Sequence, residues 1–407
     1  MKNRVLYISY DGMTDPLGQS QVLPYLKGLV QKGYAISLIS FEKPERYEQL
    51  RQQIQTECEE HTIAWYPSVY TKTPPLLSTI KDVRKMRKTA LKLHQREPFD
   101  IVHCRSYIAA LVGLKMKRKF STKFVFDMRG FWADERVEGG IWNRKHFIFN
   151  LAYSFFKKKE LQFFKGADHV VSLTESGKNE ILSWKSLKNK TPNISVIPCC
   201  VDDVLFNPES INPHRKRKLK AALGIEEEHQ VLGYVGSIGT WYMLDEMLDF
   251  FNVQLQKNNK LKFLFVTGES PQHILEKAVE RNIPKEALII TSTSHKYVPL
   301  HISLFDCSIF FIRPTFSKKA SSPTKQGELM AMGVPVICNS GVGDTDAIIN
   351  KYNAGTVLQN LTDEEYKKID LDQLNTDSKA IRNGAIDYFG LSKGVEKYAW
   401  IYQTVMK

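Results

Sequence analysis

The chain has 407 residues, 43% of them hydrophobic and 25% charged, which excludes a disordered protein and suits two α/β domains of roughly 180–200 residues each. A formal net charge of +13 points to anionic partners: nucleic acid, anionic membrane or phosphorylated substrates. No window reaches the ~18 consecutive apolar residues of a membrane span, and the opening MKNRVLYISYDG reads as a strand rather than a signal peptide, so a cytosolic location is the expectation.

RVLYISY (Arg4 to Tyr10) reads as a buried strand, DGMTDPLGQSQ as a polar loop, VLPYLKGLVQKG as an amphipathic helix closed by Gly33, and AISLISF as a second strand. This is a βαβ unit with its glycine loop at the carboxyl end of the first strand. IAWYPS, DIVHC, KFVFDM and DHVVSL continue the series. Such alternation predicts a mostly parallel sheet covered on both faces. Between these strands lie basic helices. In Ile80 to Arg96 the apolar Ile80, Val83, Met86, Ala90 and Leu93 recur at helical spacing among lysines and arginines. Lys115, Lys117, Arg118, Lys119 and Lys157 to Lys159 add to them. These are solvated faces or a docking surface for anionic lipid, and no nucleic-acid motif accompanies them.

Leu182 to Pro198 carries no strong helical pattern and marks a boundary, after which ISVIPCCVDDVLFNP opens a second unit. QVLGYVGSIG, KFLFVTGES, ALIITS, CSIFFIRP, VPVICNS and GTVLQN are its strands, and LSKGVEKYAWIYQTVMK is a final amphipathic helix. The division expected is an N-terminal domain at 1–185, a C-terminal domain at 186–385 and a terminal helix at 386–407 that packs back on the N-terminal domain. Ligands of open α/β sheets bind at the carboxyl ends of the strands. The six cysteines form no CxxC pair and read as buried free thiols.

The segment FFIRPTFSKKASSPTKQGELMAMGVPVICNSGVGD is the most informative. A strand ends at Arg313, a polar loop follows, and Pro323 stands where a helix starts. Free amides at a helix start suit an anion, and Lys325 in the first turn adds a point charge for phosphate. Glu328 shares the face of Lys325 and could accept two hydrogen bonds from a ribose diol. On spacing alone, a capped helix with a surface Lys–Glu pair is the leading reading.

GELMAMGVPVI resembles the C-terminal signature E-x-M-A-x-G-x-P-V-I of the retaining glycosyltransferases of family 4, and SSPTK resembles the SPxK form of part of that family. VIPCCVDDVLFNP, YVGSIGTWYMLDEML and FFKGADHVVSLTESGKNEI resemble further family segments, in the family's order, over nearly the whole chain. The resemblance implies the GT-B fold, two Rossmann-like α/β domains facing each other across a cleft. It also implies transfer of a sugar from a nucleoside diphosphate sugar, with UDP favoured, to a glycan or lipid-linked acceptor in cell-surface polysaccharide assembly, with retention. Glu328 matches the family's ribose-holding Glu, whereas the Glu that contacts the donor hexose would fall at Ala320.

Donor-binding candidates are therefore Gly18 in the first glycine loop, Ser237, Ile238 and Gly239 in a hydroxyl–amide nest, and Ser322, Thr324, Lys325 and Glu328. Lys319 is a candidate helper for the diphosphate charge. Catalytic candidates are Lys325, His103 at the end of a strand, and Arg129, where many relatives carry a His. Arg129 cannot act as a base but can stabilise a leaving diphosphate or bind an acidic sugar. The Asp-x-Asp of GDTDA (Gly343 to Ala347) follows a second-domain strand, where the family uses no metal, so no metal and no cofactor beyond the donor is expected. The alternatives are a sugar-nucleotide epimerase of the same fold and a non-catalytic nucleotide-sugar-binding subunit.

Overall fold

The computed structural model describes residues 3–74, 76–374 and 377–407. They divide into two compact units. Unit 1 comprises Met1–Pro198, Lys319–Ser321 and Leu391–Lys407, and unit 2 comprises Cys199–Lys318 and Ser322–Gly390.

Among the described residues, unit 1 holds a seven-stranded sheet: β1 (Arg4–Ser9), β2 (Ala35–Glu42), β3 (Ala64–Val69), β4 (Ile101–Arg105), β5 (Lys123–Asp127), β6 (His169–Ser172) and β7 (Ile194–Val196). The order is β3-β2-β1-β4-β5-β6-β7, and every pair is parallel. Strands β1, β4 and β5 are buried almost throughout because helices cover both faces, which is why they read as unbroken apolar runs. Their register pairs Ser9 with Arg105 and Arg105 with Asp127, so three polar side chains stand in a row at the carboxyl edge.

Unit 2 holds a six-stranded parallel sheet among its described residues: β8 (Gln230–Val235), β9 (Leu261–Val266), β10 (Leu288–Thr291), β11 (Cys307–Phe310), β12 (Val336–Asn339) and β13 (Gly355–Leu358). Its order is β10-β9-β8-β11-β12-β13. The carboxyl ends of β8 and β11 flank the point where the strand order reverses, which is where a doubly wound sheet binds its ligand.

Several elements depart from the sequence reading. Ile194–Val196, read as the opening of the second unit, pairs with β6 as the last strand of the first sheet. Three half-buried residues carry no periodicity of their own, so the unit ends at Pro198 rather than near 185. The polar loop after β1 contains a short helix, Pro16–Gln21, because Pro16 pre-sets the first helical φ. The strand expected to reach Arg313 ends at Phe310. The terminal helix is Leu391–Met406, within unit 1, and 386–389 instead close the preceding helix Ser378–Phe389 in unit 2. Tyr398 meets Tyr25 edge-on at 5.4 Å, Tyr402 meets Tyr34 at 5.1 Å, and the Tyr34 hydroxyl donates to the Ala399 carbonyl. Each such aromatic pair contributes ~1 kcal/mol beyond its buried area.

In the basic helix Leu77–Arg96, the buried face carries Asp82, Met86, Ala90 and Leu93, while Ile80 is exposed. Asp82 is buried because it accepts from the Tyr10 hydroxyl and the Thr71 amide, which offset its desolvation. All six cysteines are buried and unbridged. No helix among the described residues is long and apolar enough to cross a membrane.

Candidate functional site

In unit 2, β8 ends at Val235 and the chain turns sharply at Gly236, whose φ of +103° favours glycine. Opposite this turn the helix Thr324–Ala331 begins, preceded by Pro323 in extended backbone. Pro323 suits a helix start since it has no amide hydrogen to satisfy. The Lys325 side chain runs from the first turn to Gly236: its Nζ lies 3.5 Å from where a Cβ on that glycine would stand.

Lys325 is buried, 5% exposed, and its ammonium sits over two rings, 3.9 Å from the centre of Tyr234 and 3.5 Å from that of Tyr242. Its Nζ has no hydrogen-bond partner among the described residues. Burial pushes its pKa well below the usual lysine range, against the opposing charges of Glu328 and Glu269. A buried, unpartnered cation at the start of a helix is a strained arrangement that an incoming anion relieves. Glu328, one helical turn on, is 3.5 Å from His295 Nε2, and the His295 ring stands 5.5 Å from that of Phe206. Ser322 Oγ accepts from the Cys199 amide, and Thr324, also half-buried, is the first residue of the helix.

The amide nest read at Ser237, Ile238 and Gly239 is already filled. The amides of Ile238 and Gly239 donate to one carboxylate oxygen of Glu269, at 2.8 and 3.2 Å, and the Ser237 carbonyl accepts from the Tyr234 hydroxyl. The diphosphate helper read at Lys319 is also placed differently. Lys319 belongs to unit 1, where it pairs with Glu180 at 2.8 Å. The cation beside the loop is Lys318, 3.7 Å above the Trp241 ring.

Ala320 is fully buried in unit 1, packed on Gly177: a Cβ there would meet the Ala320 Cβ at 2.7 Å. The Thr174 hydroxyl donates to the Lys319 carbonyl at 2.6 Å and holds this segment at the start of the helix Glu175–Ser183.

Unit 1 gathers Arg129 and His103 around Asp127 at the carboxyl edge of its sheet. His103 is 1% exposed, enclosed by Tyr7, Tyr398 and Tyr402, and its Nδ1 lies 2.6 Å from the Tyr402 hydroxyl. Burial lowers its pKa, against the opposing pull of the Asp127 carboxylate. The ring therefore stands inside a network rather than on an open face. Asp127 accepts from the Tyr398 hydroxyl at 2.9 Å, and Arg129 Nη1 is 3.8 Å away. Burial opposes ionisation of Asp127, but Arg129, then His103 and Arg105, hold its carboxyl below the usual range. Arg129 has φ +58°, a conformation costing ~1 kcal/mol or more that the surrounding contacts maintain. Gly18 sits inside the helix Pro16–Gln21, where a Cβ would meet the Gly12 carbonyl at 2.1 Å. What it approaches in this structure is its own loop.

Asp344 accepts from the Tyr388 hydroxyl and Asp346 from the Gly341 amide. Among the described residues, no three His, Cys, Asp or Glu are gathered as metal ligands. Sequence reasoning missed Glu269, His295, Phe206, Lys318 and the tyrosines around Lys325. The signal for Glu269 and His295 was their place in loops following strands β9 and β10, the edge where such sheets bind.

The model described as Glycosyltransferase Family 4 matches residues 19–204, and that of the Glycosyl transferases group 1 matches residues 215–383. Sucrose-phosphate synthase from Thermosynechococcus elongatus is similar with a TM-score of 0.75 and 14% identity, covering 99% of each chain. HepE of Anabaena, solved with UDP and glucose, has a TM-score of 0.70 and 13% identity over 99% of this chain and 100% of its own. WaaG, a glycosyltransferase involved in lipopolysaccharide biosynthesis, has a TM-score of 0.67 and 14% identity over 98% of this chain and 99% of its own. No curated protein sequence matches this one. At these identities the likeness shows the fold, which is GT-B.

Proposed function

This chain belongs to the family 4 and group 1 glycosyltransferases, and we propose that it moves a sugar from a UDP-sugar to a glycan or lipid-linked acceptor in cell-surface polysaccharide assembly, with retention at the anomeric carbon. The observation that carries this reading is the buried Lys325 ammonium without a hydrogen-bond partner at the start of a helix. A nucleoside diphosphate supplies the missing anion. UDP is favoured by the likeness to HepE, and polysaccharide assembly by the likeness to WaaG.

In this reading Glu328 accepts from the ribose diol, while Lys325, the first amides of its helix and the hydroxyls of Ser322 and Thr324 hold the diphosphate. The acceptor oxygen attacks the anomeric carbon from the face on which the diphosphate departs. The bond from that carbon to the diphosphate breaks, and a diphosphate oxygen takes the acceptor proton. Lys325 stabilises the charge that grows on the leaving group in a partly dry site, so the reaction needs neither a metal nor a protein base. On the unit 1 side we assign Arg129 to an anionic group of a substrate, with Asp127, His103 and Tyr398 as its positioning residues. The reading carries a cytoplasmic location with it.

The test is incubation with a panel of nucleotide sugars and candidate acceptors, with product stereochemistry read by NMR. Transfer with retention is the expected result, and Glu328→Ala is expected to weaken UDP binding by about tenfold or more, ~1.4 kcal/mol. An epimerised donor without acceptor would identify an epimerase. Binding without turnover under every acceptor would identify a non-catalytic subunit, and unchanged UDP affinity in the variant would overturn the ribose assignment.

A further inference from the structure

One face of unit 1 carries chemistry that the transfer reaction leaves unused. The helix Phe147–Gly166 buries Phe163 and Phe164 against Phe126 of the sheet and Phe156 against Trp132 and Trp142, yet Phe147, Ile148, Leu151 and Phe155 stand 78, 55, 60 and 45% exposed. Their i, i+1, i+4, i+8 spacing gathers them on one side of the helix. Lys158, exposed and three residues beyond Phe155, continues the stripe. From Gly139 to Lys159 the chain has five Lys or Arg and no Asp or Glu. One of the five, Lys157, turns inward to Asp134 and Glu160.

Next to the second half of this helix lies a groove of about 530 Å³. Leu114 and Phe163 line it, together with four cations, Lys115, Arg118, Lys119 and Lys159. No acidic residue lines it among those described. The cations come from the helices Ser106–Phe120 and Phe147–Gly166, so two elements converge on one cationic wall beside an exposed apolar stripe.

We propose that this face seats the protein on an anionic bilayer. Phe147, Ile148, Leu151 and Phe155 enter the boundary between headgroups and acyl chains, and the cations of the groove take the lipid phosphates. Large apolar side chains grouped on a helix and flanked by lysines match the two layers of that boundary, apolar below and anionic above. The lysines and arginines of Leu77–Arg96 accompany two exposed apolar side chains, Leu77 and Ile80, against the four of Phe147–Gly166, and they are not part of the proposed surface. The proposal rests on the proposed lipid-linked acceptor only for its purpose, which is to bring the enzyme to that acceptor. Bilayer binding itself stands apart from donor chemistry.

Co-sedimentation of the full chain with phosphatidylglycerol and phosphatidylcholine vesicles tests it at low salt. Binding to the anionic vesicles alone is expected, with loss as salt is raised. Phe147→Ser/Leu151→Ser/Phe155→Ser and, separately, Lys115→Gln/Arg118→Gln/Lys119→Gln are each expected to weaken it by about tenfold or more. Lys81→Ala/Lys85→Ala/Lys88→Ala is expected to leave it within about twofold. A melting temperature within a few degrees of that of the unchanged chain shows that each variant is folded, and a UDP-induced thermal shift that persists while vesicle binding is lost separates this proposal from the catalytic reading. Equal binding to both vesicle types, unaltered binding by the apolar and groove variants, or loss in the Leu77–Arg96 variant would overturn it. So would a dimer in light scattering that the apolar variant abolishes, since the stripe would then cover a second copy of this chain.

Discussion

The Lys325 ammonium lies 3.5 Å from the centre of the Tyr242 ring, and no oxygen of the described residues accepts a hydrogen bond from it. Burial lowers its pKa, which means that the folded protein without ligand disfavours the protonated form relative to the unfolded chain. A diphosphate placed against it reverses that preference. Binding of UDP at alkaline pH is therefore expected to take up protons, and affinity to fall as pH rises through the lowered pKa of the free site. Calorimetry in two buffers of different ionisation enthalpy measures the uptake. Lys325→Met is expected to abolish it and to weaken UDP binding by about tenfold or more. The same variant is expected to raise the stability of the unliganded protein by ~1 kcal/mol or more, because a buried amine without a hydrogen-bond partner is removed.

Glu269 holds the loop after β8 through the amides of Ile238 and Gly239, and it also places a negative charge in the surroundings of Lys325. The first effect needs an acceptor oxygen and the second needs a charge. Glu269→Gln keeps the oxygen and removes the charge, so UDP affinity is expected to rise by a few-fold, ~1 kcal/mol for a charge pair at a partly screened distance. Glu269→Ala removes both and is expected to lower the melting temperature. Titration calorimetry and thermal unfolding of the two variants read the outcomes, and weaker UDP binding in Glu269→Gln would show that the charge is not in opposition to the diphosphate.

Ala320 occupies the position where the family resemblance places a carboxylate for the donor hexose. In this chain the residue is fully buried against Gly177. A glutamate there must displace this packing. Ala320→Glu is expected to cost ~3 kcal/mol through overpacking and a buried charge, and to lower the melting temperature by several degrees without a gain in transfer rate. An increase in activity with unchanged stability would show that the site accepts the missing carboxylate.

Strands β1, β4, β5, β8 and β9 were legible because a parallel sheet buried on both faces requires unbroken apolar runs. The three-residue β7 was not, since its place depends on pairing with β6. That Lys325 and Glu328 share one helix was legible because the motif around them is local. The filling of the Ile238–Gly239 nest by Glu269 was hidden, as the partners lie about 30 residues apart and meet only through the pairing of β8 with β9. The link from Tyr398 to Asp127 spans 271 residues. It exists because the terminal helix belongs to unit 1, and side-chain periodicity alone carries no record of such a partner. Asp82 shows the converse case: a charged residue on the buried face of a helix, where apolar periodicity had favoured Ile80.

His169 provides a test of stability that is independent of the reaction. Its ring is buried, with Nε2 2.9 Å from Ser195 Oγ and Trp400 edge-on at 5.9 Å. Burial pushes its pKa down to about 4. The folded chain therefore keeps this ring neutral at pH values where the unfolded chain protonates it. Because the folded pKa is depressed, stability is present above the unfolded value near 6.5 and is lost as pH falls toward 4. The slope is one proton per molecule, ~1.4 kcal/mol per pH unit, or about 2 kcal/mol between pH 7 and pH 5. His169→Gln keeps a hydrogen-bonding group for Ser195 and cannot titrate. Urea unfolding of both proteins at pH 7 and pH 5 is expected to show a smaller loss in the variant by about that amount. The remaining loss in the variant is expected from His94 and His103, whose pKa values burial also lowers. An equal loss in the two proteins would mean that His169 is protonated in the folded state at pH 5.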